Sequence, residues 1–208
     1  MPVVDFDLYL VTDRTQTQGR DLLEVLEQAL AGGAQAIQLR EKDLTGSELF
    51  ALAEKARILC RRYDALFFVN DRVDVAIAVE ADGVHLGTAS IPVETARNLL
   101  GPGKIIGAST HSLREANAAA QQGADFIVFG PVFFTPSKAS YGSPQGLEAL
   151  QKIVEKISSP VYAIGGIKPE NVESVRRVGI RGVALISAIM SAEKPKEATQ
   201  RILSYLRG

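Results

Sequence analysis

The feature that most constrains this chain is a repeat of kind rather than of residues. Eight short β-rich runs alternate with helix-patterned segments from one end to the other. The runs are DLYLVTD (7–13), AIQLREK (36–42), ALFFVND (65–71), GVHLG (83–87), KIIGAST (104–110), FIVFGPVF (126–133), PVYAIGG (160–166) and GVALISAI (182–189). Between them LLEVLEQAL (22–30), LFALAEKARILC (49–60) and LEALQKIVEKI (147–157) place apolar residues at i, i+3, i+4 and i+7, and ATQRILSYLR (198–207) closes the chain in the same way. Runs that are apolar on nearly every residue are covered on both faces, which is the mark of a parallel sheet wrapped in helices. Eight such units predict an α/β fold closed into a (β/α)8 TIM barrel. The alternative is an open doubly wound sheet, but no G-x-G-x-x-G opens the first helix and an even count suits closure. At 208 residues, the expectation is a single barrel domain over 1–208.

Four segments enter their strands alike: GGAQAIQL (32–39), EADGVHLG (80–87), QGADFIVFG (122–130) and VGIRGVALIS (178–187). Each brings a helix end through a glycine or small residue, and glycine there is expected to terminate the helix in a left-handed conformation. The exits from the strands differ from unit to unit.

Charge and composition exclude several functions. The formal net charge is -1, and no basic stripe of the kind that binds nucleic acid is present. No apolar run approaches the ~20 residues of a membrane span, and the opening MPVVDFDLYLVTDR lacks a basic n-region followed by a long apolar stretch. A cytoplasmic protein without membrane contact is the expectation, and assembly into a homo-oligomer is left open. The one cysteine, Cys60, cannot form an internal disulfide and lies in a helical pattern.

In a barrel, the chemistry gathers at the C-terminal strand ends. Those ends hold Thr12, Asp13 and Arg14; Arg40, Glu41 and Lys42; Asn70, Asp71 and Arg72; His85 near Gly87; Ser109, Thr110 and His111; Thr135, Ser137 and Lys138; Gly165 and Gly166; and Ile186 and Ser187. Taken singly, Asp13, Glu41 and Arg72 favour a solvated or helix-capping role. The paired glycines and Ser187 stand at the ends of the seventh and eighth runs, where barrels commonly bind a phosphate. His85 lies within a strand, where a structural role is at least as well supported as a catalytic one. His111, at a strand exit, can transfer protons near neutrality or cap the next helix. The stretch FGPVFFTPSKASYGSPQG (129–146) starts as an apolar strand and becomes a long loop of glycine, proline, hydroxyls and one lysine.

At QLREK, VNDRVDVAIAVEADGVHLG, IGASTHS, FGPVFFTPSKASYG, AIGGI and GVALISAI the chain resembles the thiamine phosphate synthase superfamily, which also holds the thiazole tautomerases. The likeness runs over nearly the whole chain with the motifs in order. It implies a transferase of thiamine biosynthesis that joins hydroxymethylpyrimidine diphosphate to a thiazole phosphate or thiazole carboxylate, with diphosphate released. Its partners would be small phosphorylated molecules. The resemblance makes Gln38, Arg40 and Lys42 pyrimidine-diphosphate contacts, with Arg40 and Lys42 on the diphosphate beside Asn70, and Asp71 a Mg2+ ligand. Ser109 matches a residue near the reacting pyrimidine, and Thr135, Ser137 and Lys138 match a lid over the substrate. Gly166, Ile186 and Ser187 match the thiazole phosphate cradle. Two departures stand out: in HLGTAS, Ser90 occupies the place of a usual second acidic metal ligand, and Ser137 replaces a usual threonine. A hydroxyl is a poorer ligand for a hard cation than a carboxylate, so the magnesium site is expected to be weakened or absent. The same change suits a thiazole tautomerase with His111 as its proton-transfer residue. A third reading is a precursor-binding regulator without turnover.

Overall fold

A computed structural model describes residues 4–135 and 143–208. Among them, β1 (Leu8–Val11), β2 (Ala36–Leu39), β3 (Leu66–Asn70), β4 (Gly83–Leu86), β5 (Ile105–Thr110), β6 (Phe126–Phe129), β7 (Val161–Ile164) and β8 (Gly182–Leu185) pair in parallel in chain order. The sheet closes where Leu8 of β1 meets Val183 of β8, so the fold is the (β/α)8 barrel. Every expected run contains a strand. Most end short of the sequence pattern, because the polar tails leave the ladder to begin the βα loops. The eighth run changes type: its residues from Ser187 onward are helical.

The helices are α1 (Leu22–Ala31), α2 (Gly46–Arg62), α3 (Val73–Ala78), α4 (Val93–Leu100), α5 (Leu113–Gln121), α6 (Gly146–Lys156), α7 (Val172–Arg176), α8 (Ser187–Met190) and α9 (Pro195–Arg207). Side chains fix several starts. Asp21 accepts from the first free amides of α1, Thr45 and Glu48 form a reciprocal capping box on α2, and Ser112 accepts from Glu115 N at α5. Gly33, Gly123 and Gly179 take the expected left-handed conformation on three of the four strand entries. On the remaining one, after α3, Glu80 does so, with φ 52°. Gly83 instead sits within β4, where a Cβ would lie 2.0 Å from the Ile105 carbonyl oxygen.

Two apolar layers result from the alternation of side chains along each strand. Outward residues such as Leu8, Leu10, Ile37, Phe67 and Val69 pack under the helices against Leu26, Ala53 and Leu150. Inward residues fill the lower lumen with Phe6, Tyr9, Phe68, Phe126 and Tyr162. Phe6 stacks on Tyr162 at 4.6 Å, and Phe126 meets Phe6, Tyr9 and Phe68 edge-on at 5.5, 5.4 and 5.7 Å. Gly182 makes room for one of these rings, since a Cβ there would come within 2.9 Å of Tyr162 Cε1. The barrel is therefore closed below, and its polar groups face the other end. No helix among the described residues is long and apolar enough to cross a membrane.

Candidate active site

Several charged strand-end residues are occupied in holding the loops. Glu41 is buried, accepting from the Thr12 hydroxyl and from Arg14 N at 3.1 Å. The Arg14 guanidinium spans both oxygens of Asp43. Arg72 grips Asp74 through Nε at 2.9 Å and Nη2 at 2.6 Å. Asp13 caps the 3-10 turn Arg14–Gln16 by accepting from Thr15 N. Burial works against the charge on Asp13, but hydrogen bonds from Thr15 and Gln16, with Arg40 nearby, hold its carboxyl below the usual range. Of the solvated or capping roles weighed for Asp13, Glu41 and Arg72, Asp13 takes the capping one, whereas Glu41 is buried as a loop anchor and Arg72 pairs with Asp74 without capping α3.

With those removed, a smaller set remains at the open end. Arg40 is half-buried at the end of β2, its amide donating to Thr12 Oγ1 at 2.9 Å, and Lys42 is exposed two residues on. Neither enters an ion pair among the described residues, in contrast to Arg14 and Arg72. Gln38 lies deeper and is buried, its Nε2 donating to the Tyr9 hydroxyl at 3.1 Å. Burial raises the Tyr9 phenol well above its ordinary range, so it stays neutral beneath Gln38.

Beside β2, the end of β3 carries Asn70 and Asp71. Asn70 Nδ2 donates to Asp71 Oδ2 at 2.8 Å. Asp71 Oδ1 accepts from the Ser90 hydroxyl and from Gly87 N at 3.3 Å, and Gly87 N also donates to Ser90 Oγ at 2.6 Å. Asp71 has φ 58°, a left-handed conformation that aspartate tolerates better than most residues but that still carries strain. The turn after β3 thus holds one carboxylate at the rim between neutral donors. Among the described residues no group of three or more His, Cys, Asp or Glu is arranged to hold a metal.

The two histidines are placed differently. His85 is buried in the lumen, with Nε2 2.8 Å from Ser109 Oγ, and burial pushes its imidazole down to about 3. His111 Nδ1 donates to the Gly130 carbonyl, and its backbone N donates to the Glu115 carboxylate at 2.7 Å. Ser112, one residue later, caps α5, so the His111 side chain is free of that task.

The last strand ends also meet at the rim. Val132 N donates to the Ile164 carbonyl and Phe133 N to the Gly165 carbonyl, at 2.9 and 3.0 Å, so the chain after β6 runs alongside the end of β7. Gly165 and Gly166 have φ 99° and 66°, and a Cβ on Gly166 would come 2.6 Å from the Phe134 carbonyl oxygen, so this approach requires glycine. Ile186 and exposed Ser187 follow β8, next to β7. Thr135 is half-buried on the same side. Ser137 and Lys138, and with them most of the expected lid, lie outside the described residues.

The structure therefore brings Gln38, Arg40, Lys42, Asn70, Asp71, Ser109, His111, Thr135, Gly166, Ile186 and Ser187 to one end of the barrel. One member was missed from the sequence: Tyr9, the floor under Gln38, signalled only by its inward place in β1. His85 and Ser109 were both among the expected strand-end residues, but their contact follows only from the register of β4 on β5, in which His85 lies opposite Gly107.

A family model described as thiamine monophosphate synthase matches residues 8–189. The thiamine-phosphate synthase of Alkaliphilus oremlandii is 43% identical over 98% of this chain and 97% of its own length. That of Pyrococcus furiosus is 47% identical over 94% of this chain and 92% of its own. A solved thiamine phosphate pyrophosphorylase from Pyrococcus furiosus superposes with a TM-score of 0.90 at 44% identity, covering 97% of this chain and 96% of that one.

Proposed function

This chain belongs to the thiamine monophosphate synthase family, and from that premise we infer that it is a thiamine-phosphate synthase. This transferase of thiamine biosynthesis joins hydroxymethylpyrimidine diphosphate to a thiazole phosphate or its carboxylate and releases diphosphate, with CO2 leaving as well when the carboxylate is used. The observation that carries the assignment of its site is the pair of cations, Arg40 and Lys42, that enter no ion pair among the described residues and stand on the open side of a lumen sealed from below. Paired side chains would have to surrender a carboxylate to receive an anion, whereas these two need not.

The reaction breaks the C–O bond between the pyrimidine methylene and the diphosphate, whose oxygen keeps the electron pair. The resulting methylene cation is captured by the lone pair of the thiazole nitrogen, and no proton is transferred in that step. Arg40 and Lys42, with the amide of Asn70, would neutralise the leaving diphosphate. Gln38 would hydrogen-bond the pyrimidine, standing on Tyr9, and Ser109 would lie against the reacting end of that ring. Gly166, Ile186 and Ser187 would hold the thiazole phosphate, where backbone approach is closest. Thr135, Ser137 and Lys138 would close over the pair and keep water from the cation. His111 stands at the same rim with Nδ1 committed to Gly130, leaving Nε2 as an acceptor toward substrate.

The residues fit Mg2+ in a reduced form. Magnesium is commonly bound through one or two carboxylates together with substrate phosphates and water, and Asp71 provides one carboxylate, with the Ser90 hydroxyl against it in place of a second. Asp71 would hold the ion and, when bound, the ion would offset the charge of the diphosphate.

The test is turnover of pyrimidine diphosphate and thiazole phosphate by the purified protein, with magnesium and with chelator. Thiamine phosphate formation is expected, with Arg40→Ala and Lys138→Ala each slowing diphosphate release by at least about tenfold while remaining folded. Shift of the thiazole proton without coupling, even at high magnesium, would replace this reading with the tautomerase one. Binding of either precursor with no reaction would replace it with the regulator.

A further inference from the structure

The His85 carbonyl accepts from Asp71 N at 3.0 Å, while its side chain hydrogen-bonds one group expected to meet substrate, Ser109. His85 sits on the inner face of β4 opposite Gly107 of β5, with the rings of Tyr9 and Phe126 at 5.6 and 5.8 Å. A Cβ at Gly107 would come 2.7 Å from His85 Nδ1 and 2.3 Å from Phe126 Cζ, so the imidazole fits only because that position has no side chain. Its Nε2 lies 2.8 Å from Ser109 Oγ, whereas Nδ1 is buried without a hydrogen-bond partner among the described residues.

These facts choose between two tautomers. A proton on Nδ1 would leave a buried donor with no acceptor, pointed at the methylene of Gly107. Orphaned buried donors are rarer in native structures than under-used acceptors. With the proton on Nε2, the Nδ1 lone pair faces the Gly107 C–H, a weakly favourable contact, and the N–H faces the serine oxygen. Ser109 then accepts from beneath, and its own hydroxyl hydrogen has no remaining role toward the lumen floor. Ser109 lies two residues beyond the His85 register position and is half-buried where His85 is buried, so its free side is the open end.

We propose that His85 is a positioning residue for the coupling reaction: its Nε2–H holds Ser109 Oγ as an acceptor, which turns the serine hydroxyl into a fixed donor aimed at the pyrimidine diphosphate. Without that hold a serine hydroxyl rotates to suit any neighbour. The proposal rests on the synthase reading for the identity of the substrate, but its tautomer does not.

The chain has two histidines, so long-range 15N–1H NMR of labelled protein can read both, with His85→Gln assigning the signals. His85 is expected as the Nε2–H form and His111, which donates from Nδ1 to Gly130, as the opposite one. An Nδ1–H form for His85 would overturn the proposal whatever the enzyme turns over. In steady-state coupling, His85→Met is expected to lower kcat by about tenfold, the scale of one lost well-placed hydrogen bond, with the KM for thiazole phosphate unmoved. His85→Gln, whose amide can donate at the same place, should recover most of the loss. In a Ser109→Ala background, His85→Met should cost less than about twofold more, because the two act as a unit. Equal losses in both backgrounds would mean that the imidazole only packs the lumen, and would overturn the proposal. Absence of turnover in the wild type would remove the synthase reading and leave the NMR result to decide the role of His85.

Discussion

The lower and upper halves of the barrel lumen are built from the same eight strands, yet they are furnished by opposite rules. Below, Phe6, Tyr9, Phe68, Phe126 and Tyr162 are each fully buried, and the rings meet each other while glycines on neighbouring strands stand aside. Above, Gln38, Arg40, Asn70, Asp71 and Ser109 present polar ends, several held by a neighbour and none packed by rings on every side. The difference teaches where binding energy can be stored. A lumen that was aromatic throughout would have no cavity, and one that was polar throughout would leave buried groups without partners. His85 marks the boundary, with rings on two sides and Ser109 on a third.

The largest expected effect tests the lower half. Phe126→Ala removes the ring that contacts Phe6, Tyr9, Phe68 and Tyr162, and should destabilise the fold by about 3–5 kcal/mol through lost burial and the cavity left behind. Arg40→Ala, at the rim, should leave the urea midpoint within the scatter of the wild type while it lowers turnover. A loss below about 1 kcal/mol for Phe126→Ala would mean that the plug does not brace the barrel and that the two halves do not divide stability from function.

The next effect sharpens the boundary. Burial lowers the His85 pKa from 6.5 to about 3, so as pH falls the unfolded chain takes up this proton well before the folded one. Its contribution to stability is fully present above about pH 6.5 and is lost as pH falls toward 3. Between pH 7 and pH 5 the expected loss is about 2 kcal/mol, from one group that titrates only on unfolding. Asp7 and Asp13 are held below their ordinary value of 3.8, so their contributions fade only below about pH 4 and leave this window to His85. Denaturant midpoints for the wild type and His85→Gln at the two pH values provide the check. A wild-type profile as flat as that of the variant would show that the folded lumen accepts the proton, and would place His85 on the polar side of the boundary.

Much of this was legible in the sequence, and the parts that were not have physical reasons. The eight strands were visible because strands covered on both faces, such as FIVF and VYAI, carry apolar residues without interruption. Their ends were less visible, since REK after β2 and ISAI after β8 continue a pattern whose hydrogen bonds have already stopped. The rim could be listed because polar residues collect after strands, but which of them are occupied could not. Glu41 and Lys42 are neighbours in sequence, yet one is buried against Thr12 and Arg14 and the other is exposed. That distinction depends on partners 27 to 29 positions away, which no local pattern encodes. The aromatic plug was equally hidden, because Phe6, Phe68, Phe126 and Tyr162 come from four separate segments and only closure of the sheet brings their inward faces together.

The smallest effect is expected at the rim itself, where Ser90 and Asp71 meet. The Ser90 hydroxyl donates to Asp71 Oδ1, and Gly87 N reaches both, so an aspartate at position 90 would set a second carboxylate against the first. Where bulk water screens them, two like charges a few ångströms apart repel by about 1 kcal/mol, which in a protein of this length lowers Tm by about 2–4 °C. Ser90→Asp should therefore be slightly less stable than the wild type in chelator and should recover, or exceed it, when magnesium or manganese is added. Direct Mn2+ binding without substrate should tighten in the variant, and the magnesium needed for half-maximal coupling should fall, because a hard cation gains a second oxygen anion. If the variant's Tm ignores the metal and its Mn2+ affinity matches the wild type, the Asp71 turn does not hold the ion. The upper half of the lumen would then have to meet an anion with Arg40 and Lys42 and without an ion at Asp71.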